Sequence, residues 1–443
     1  MVLEWLIDQM YSGVMKRLQA YKFRIYPTEE QILSLRRIAG CCRLVYNLAL
    51  EQRQLAWSRG VSLGYVSQAN ELPALKAEFP FLKEAPSHSL QSALRNLDTA
   101  FQRFFQGHAS FPTFKKRNAG LSITLPDPAQ IKADWHRHAL ILPKFGKTRR
   151  DNGPLRLRAH RAPKGALRSV TISEQGGLWF VSILTQRDIK APSMPAVTHP
   201  KQVIGLDRGV VSAVVADTGF SANVEGQTPG SKTRSRRLQQ ALARKKKGSN
   251  NRLKARMKLA KHKAKEARRR TNQIHRITSA LIKNHDVYVL EDLKVQNMSQ
   301  SAKGSLEDPG SNVAAKSGLN RAILDKGWGE MRRQLNYKAA WVGKQVLEVS
   351  PVNTSRTCPE CGHVSADNRR SQAVFDCVSC GYLGHADQVA AFNIKQRGLA
   401  MLGLPPATVP KDVRCQPVES SCASSSVKQE SKPVKVALLE TAA

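Results

Sequence analysis

Four cysteines fall into two tight pairs, Cys358-x2-Cys361 and Cys377-x2-Cys380, with fifteen residues between them and Gly362 and Gly381 directly after each pair. Two such turns facing each other bring four thiolates into a tetrahedron, the closed set that Zn²⁺ accepts in structural sites. A redox dithiol and an iron–sulfur site are the alternatives, although a redox pair needs only one CxxC in a thioredoxin-like setting. A closed set of four leaves no position for substrate, so zinc there is structural. Three acids offer a different chemistry: Asp207 in "IGLDRGV", Glu291 in "VYVLEDL" and Asp387 in "GHADQVAAFNI", seven residues after Cys380. Taken singly, Asp207 reads as a turn residue before Gly209, Glu291 as a strand-end acid and Asp387 as an N-cap or first-turn acid. The first two are embedded in apolar strands, where a carboxylate is costly unless paired or metal-bound. Meeting on one sheet, the three would form an oxygen-rich pocket suited to Mg²⁺ or Mn²⁺. Two such ions about 3.5–4 Å apart activate an attacking water and stabilise the leaving oxygen of a phosphodiester.

These residues need elements to position them. "YKFRIY" alternates like a short strand, and Pro27-Thr28 open a helix with Glu29 and Glu30 in its first turn, running on through Gly40, Cys41 and Cys42. Ser87–Phe105 has apolar residues at helical spacing, and "SFPTFKKR" sets Phe111 and Phe114 beside Lys115, Lys116 and Arg117. Such a mixture can stack bases and neutralise phosphate, but the phenylalanines taken alone read as core. From 121 to 200 short strands dominate, with the clearest hairpin bending at Gly176-Gly177, and 191–202 is a linker candidate. Residues 231–270 hold eighteen Lys or Arg against one acid, Glu266, and read as two helices joined at "GSNN" and lying along a phosphate backbone. Residues 299–318 read as a mobile loop, 319–343 as one amphipathic helix, "KQVLEVSP" (344–351) as a short strand, and the chain past Leu402 as disordered.

The chain has 443 residues and a net charge of +36, enough for several domains and an excess for which nucleic acid is the usual partner. No uncharged apolar run approaches the roughly 20 residues that span a bilayer, and the first fourteen residues make a poor signal peptide. Eight cysteines without a framework pattern fit a reducing, intracellular compartment.

Ten stretches then carry a resemblance in their joint order: "YKFRIYPTEEQ", "GCCRLVYN", "FPTFKKR", "GLDRGV", "LARKKKGSNN", "VLEDL", "LNRAILDKGW", "YKAAW", "TSRTCPECG" and "CGYLGHADQVAAFNI". Over about residues 15–400 the sequence resembles TnpB, the transposon-associated RNA-guided DNA endonuclease, and its relatives the compact type V CRISPR effectors. The resemblance implies an α+β multidomain fold: an RNase H-like (RuvC) catalytic domain with a zinc-ribbon insertion, and a β-barrel wedge domain carrying an inserted helical recognition domain. The implied layout is an extension at 1–14, wedge at 15–30 and 121–200, recognition helices at 31–120, nuclease at 201–354 with the basic hairpin at 231–270, ribbon at 355–383, the final nuclease segment at 384–401 and a tail at 402–443. It makes Asp207, Glu291 and Asp387 the catalytic acids and Mg²⁺ (or Mn²⁺) ligands, with Glu291 binding metal rather than acting as a base. Cys358, Cys361, Cys377 and Cys380 become the ligands of a structural Zn²⁺ that orders the chain leading into Asp387.

The implied partners are a guide RNA and target double-stranded DNA, in the bacterial cytoplasm and at the nucleoid, with base pairing reading the target and the protein reading a short flanking motif. Candidate contacts are Gln91, Arg95, Phe114, Lys115 and Lys116 on the N-terminal side and Arg244, Lys245, Lys246, Lys247 and Arg252 in the hairpin. Two positions depart from the family. Arg208 follows the first aspartate where an aliphatic residue is common, and strand alternation predicts that it points away from the acids. Val389 stands where an Asn is usual, and a loss of orientation at Asp387 would lower cleavage. The rival expectations are a repressor that binds under RNA guidance without cutting, and a DDE-type transposase. Met15 is where the family pattern begins.

Overall fold

The computed structural model describes residues 14–117, 120–146, 152–305, 307–371 and 373–409. Strand β1 (Val14–Ile25) is longer than the sequence suggested, because it pairs along its whole length with a later strand. Helix α1 (Glu29–Ser58) starts at a capping box: the Thr28 hydroxyl accepts from the Gln31 amide while the Gln31 side chain accepts from the Thr28 amide. After two short helical turns, Tyr65–Asn70 and Leu72–Glu78, helix α2 (Ser87–Phe105) lays Leu90, Ala93, Leu94 and Leu97 against α1. Strands β2 (Leu121–Leu125), β3 (Lys132–Asp134), β4 (Ala139–Ile141), β5 (Leu155–Arg158), β6 (Ala166–Gln175) and β7 (Leu178–Lys190) complete one antiparallel sheet in the order β2-β6-β7-β1-β5-β4-β3. No pairing among the described residues joins its two ends. The sheet and the two helices share a single apolar core that includes Phe23, Leu35, Leu50, Leu90 and Val181.

The second lobe is built on β8 (Val203–Asp207), β9 (Val214–Ala216) and β10 (Ser221–Ala222), followed by helices α3 (Pro229–Ala243) and α4 (Asn250–Leu281), and strand β11 (Val287–Glu291). Helix α5 (Val313–Lys326) begins six residues before the predicted helix start at Leu319. The single helix predicted over 319–343 is two: Gly327, at φ +67°, ends α5 and opens α6 (Trp328–Ala340). A side chain at Gly327 would also press on Ile274 of α4, so the break doubles as a packing contact. With β12 (Gln345–Val349) the sheet order is β10-β9-β8-β11-β12; β8, β11 and β12 run parallel, and β9 is antiparallel to β8 and β10.

The cysteine segment contributes a small hairpin, β13 (Val374–Asp376) and β14 (Leu383–His385), and β14 runs directly into α7 (Ala386–Met401). The predicted disorder past Leu402 is corrected for 402–409. Leu402, Leu404 and Ala407 pack against Val203, Val287 and Leu399, because three apolar residues in that stretch have a sheet face to cover. Residues 1–13 and 410–443, with Cys415 and Cys422, lie outside the described residues. The lobes touch at the predicted hairpin bend: Gly176 sits so close to Ala260 and Ala264 of α4 that a side chain there would clash. No helix among the described residues is long and apolar enough to cross a membrane.

Candidate catalytic and metal sites

Asp207 and Glu291 are the last residues of β8 and β11. These strands pair in parallel with Leu206 opposite Leu290, so the two acids stand one step further along at the same level. Parallel neighbours lie about 4.8 Å apart and residues in register face the same side, which puts both carboxylates at one corner of the sheet. The third acid arrives on α7, whose backbone lies directly on the strands. A methyl group at Gly205 would overlap the Ala391 carbonyl, and one at Gly398 would overlap Val289. Glycine at both positions permits that approach. A buried pair fixes the depth: Asp217 accepts the Gly205 amide at 2.9 Å and the Lys395 ammonium at 2.8 Å. Asp387 therefore falls in the first turn of α7 beside the strand ends.

Asp207 lies within electrostatic reach of both other acids. Burial, then the Glu291 carboxylate, then the Asp387 carboxylate push Asp207 up to about 7. Glu291 is also raised by burial, against the opposing pull of its bond from Thr354 and of the Arg208 and Arg397 cations. The Thr354 hydroxyl donates to Glu291 Oε1 at 2.5 Å, and Arg369 Nη2 lies 3.4 Å from Asp387 Oδ1. Among the described residues, the only three or more His, Cys, Asp or Glu with ligand atoms all within 4.8 Å of one another are the four cysteines. The acids thus stand wider apart than ligands gathered round one small ion. An oxygen-only set, with one carboxyl whose proton affinity is raised by burial and then by its neighbours, is chemically matched to hard divalent cations.

Arg208 follows β8 directly; it is 4% exposed and donates to the main-chain carbonyl of Glu291. Its charge is also felt alongside Glu348 and Arg332, and Glu348 is in register with Leu290 rather than with Glu291, so the guanidinium keeps to the face opposite the acid side chains, as alternation predicts. Val389 is buried among Cys358, Phe375, Cys377 and Tyr382, so it packs the cysteine segment onto α7. Sequence reasoning missed Asn393. Its carboxamide donates to the Thr354 and Thr357 carbonyls, both at 2.8 Å, and so steadies the residue that holds Glu291. It also missed Thr354 and Arg369. The stretches "TSRT" and "AAFNI" contain two of these three, but nothing in them announces a hydrogen-bond partner.

The cysteines form two matching turns. Gly362 donates to the Cys358 carbonyl and Gly381 to the Cys377 carbonyl, and both glycines take positive φ, +75° and +72°. Across the turns Cys358 Sγ is 3.6 Å from Cys380 Sγ, and Cys361 Sγ is 3.6 Å from Cys377 Sγ. A tetrahedron with Zn–S bonds of about 2.3 Å has edges of about 3.8 Å, so the donor set fits zinc. Cys41 and Cys42 are buried thiols, and burial pushes Cys42 up to about 12, which leaves it unreactive.

In the basic hairpin, Arg244, Lys245, Lys246 and Lys247 are exposed at the bend. Arg252 is different: its Nη1 donates to the Leu242 and Lys245 carbonyls and ends α3. The lone acid Glu266 accepts from Gln227, Ser231 and Lys263, clasping α3 to α4. On the N-terminal side Arg95, Phe114, Lys115 and Lys116 are exposed and Gln91 is half-buried.

Three family profiles match in order: "Helix-turn-helix domain" over 15–61, "Probable transposase" over 181–302 and "Cas12f1-like, TNB domain" over 328–394. In the structure 15–61 is one strand and one long helix. The chain is 40% identical over 391 residues to "Putative RNA-guided DNA endonuclease InsQ" of Escherichia coli (strain K12), covering 88% of this chain and 94% of that one. It is 35% identical over 421 residues to a protein of the same general description from Streptomyces pristinaespiralis, covering 93% and 96%. Among solved structures, the Cas12f1–sgRNA–target DNA complex aligns with a TM-score of 0.50 at 14% identity, over 86% of this chain and 99% of that one, a likeness of fold.

Proposed function

The chain belongs to the TnpB family, and from that membership we propose that it is an RNA-guided DNA endonuclease whose reaction centre is Asp207, Glu291 and Asp387. One observation carries the reading: three acids spanning 180 residues of sequence come from the ends of two adjacent parallel strands and the first turn of the helix laid on them, with Glu291 and Asp387 both near enough to add to the rise in Asp207. The strand order β10-β9-β8-β11-β12, three antiparallel then two parallel, supports an RNase H-like (RuvC) assignment for this lobe. The seven-stranded sheet and helices α1 and α2 would be the wedge and recognition parts, with the boundaries expected from the sequence.

Asp207, Glu291 and Asp387 would hold Mg²⁺ or Mn²⁺, which supplies an ionised water and charge neutralisation at the scissile phosphate when bound. The protein's part is placement. β8 and β11 fix two carboxylates in register, Thr354 and Asn393 orient Glu291, and Gly205 with Gly398 lets α7 deliver Asp387. Arg369 offsets negative charge beside Asp387. Zn²⁺ on the four cysteines would stiffen the hairpin that leads into α7. Arg244 to Lys247 would meet guide RNA and heteroduplex backbones, and base pairing would select the target.

The test is to purify the protein with its native RNA, sequence that RNA, and assay cleavage of a matching plasmid with Mg²⁺ against Asp207→Ala. Equal cutting by both forms removes the enzymatic claim, and protein that carries no RNA removes the guided one. The repressor reading drew on Val389 alone. That side chain packs under the cysteines rather than at the acids, so no observation favours it.

A further inference from the structure

We infer that the surface formed by Phe104, Phe105 and Phe111 is a stacking platform for unpaired DNA bases. The inference rests on the nuclease reading, which makes opened DNA available. Phe111 and Phe114, which read as core from sequence, are at the surface, 43% and 47% exposed, and Phe105 at the end of α2 is 70% exposed. The rings are not loose. Phe101 is anchored from below by the Arg53 guanidinium, 5.2 Å from its centroid, and Arg53 is itself held by Asp98 at 3.0 Å and by Gln68. A tight turn after α2, with His108 and Ala109 donating to the Arg103 carbonyl and Gly107 at φ +70°, returns the chain over the helix. Phe111 then meets Phe101 and Phe104 edge-on at 5.5 and 5.3 Å, while Phe105 lies nearly parallel to Phe101. The result is a braced aromatic ledge whose outermost ring, Phe105, offers itself to solvent.

The rim says what covers it. Residues 101–117 include no acid and four cations, Arg103, Lys115, Lys116 and Arg117, all exposed. The cationic side is fixed too. Asn47 grips the Lys115 main chain through both its amide and its carbonyl, and the Lys115 ammonium sits 3.8 Å over the Tyr46 ring. Exposed rings with cations alongside, and no acid to complement a basic partner, match a strand of bases on a phosphate backbone. The choice of DNA over guide RNA follows from placement. The ledge is on α2, the helix carrying Gln91 and Arg95, whereas the dense cations suited to an RNA backbone are on α3 and α4, in the other lobe.

The experiment uses the full chain with its bound RNA and reads the affinity of a fluorescent single-stranded DNA oligonucleotide unrelated to the guide, at fixed salt. Because Phe105 is exposed, Phe105→Ala leaves the core untouched; it is expected to weaken binding about tenfold, the worth of one stacked base. Phe105→Trp restores or exceeds wild-type affinity, and Phe105→Leu, apolar without a ring face, stays as weak as Ala. The same oligonucleotide as RNA loses less than twofold. Unchanged DNA affinity in Phe105→Ala overturns the platform, as does full rescue by Leu, which would mark an apolar contact. A larger loss on RNA than on DNA overturns the assignment to DNA. The two claims fail separately: wild type that shows ring-dependent DNA binding yet never cuts a matched plasmid sinks the nuclease reading alone. Wild type that cuts, with Phe105→Ala indistinguishable in binding, sinks the platform alone.

Discussion

The cysteine cluster and the acid cluster are both built to hold cations, yet they are assembled in opposite ways. The cysteines come from 23 consecutive residues, and two glycine-ended turns bring all four sulfurs within 4.8 Å before any ion is considered. The acids come from three elements spread over residues 207–387 and stand further apart, and the other two carboxylates add to the burial that raises Asp207. A local, closed site suits an ion that stays and bears load. A site gathered by packing, with open distance between its carboxylates, suits ions that must also meet a substrate. The contrast predicts that the first site fails by unfolding and the second by losing chemistry.

The largest expected effect is at the acids. Asp207→Ala should lower guided plasmid cleavage by about a thousandfold or more while RNA binding, read by co-purification, is unchanged. Cleavage within tenfold of wild type would break the comparison at its open end. Cys380→Ser should reduce bound zinc, measured by elemental analysis, to near zero. It should also reduce cleavage by about a hundredfold and leave the N-terminal sheet and its core folded by hydrogen exchange. Full cleavage without zinc would break the comparison at its closed end. Gly205→Ala tests how α7 is seated. The overlap with the Ala391 carbonyl should cost about 1–3 kcal/mol or more in denaturant unfolding, with a cleavage defect larger than that of a matched substitution on β10.

The smallest effect is the most informative about charge. A carboxyl whose pKa is raised on folding binds more protons folded than unfolded, so Asp207 makes the metal-free protein less stable as pH rises from about 4 to about 7. Asp207→Asn should therefore melt a few degrees higher than wild type at pH 8 without divalent cations, with the gap closing toward pH 4. Added Mg²⁺ should raise the wild-type midpoint more than the variant's. Equal midpoints at both pH values would mean that the acids are already compensated without metal.

What could be read beforehand follows the same division. The Cys pairs, the cap at Thr28, the bend at Gly176 and the break between the basic helices are local, and local rules found them. The roles of Arg208, Thr354 and Asn393 are tertiary. Alternation gave the face of Arg208, but its bond to the Glu291 carbonyl joins positions 83 residues apart and had no local signal. Val389 was weighed as a site residue because spacing along a helix does not say which neighbour lies beneath it. Glycine spacing likewise did not reveal that Gly205 and Gly398, 193 residues apart, serve one contact surface. Phe111 and Phe114 were misplaced for a similar reason, since an apolar residue is core only where another element covers it.

β14 passes into α7 with no residue between them, and the Ala386 amide is tied to the Ala373 carbonyl of the hairpin. The stretch from Cys380 to Asp387 is therefore a ruler as well as a connector. β14 is in fixed register with β13 and its side chains alternate, so inserting or deleting one residue there would set that register against the seat of α7 on the sheet and pull the aspartate's turn out of place, with every side chain of both metal sites still present.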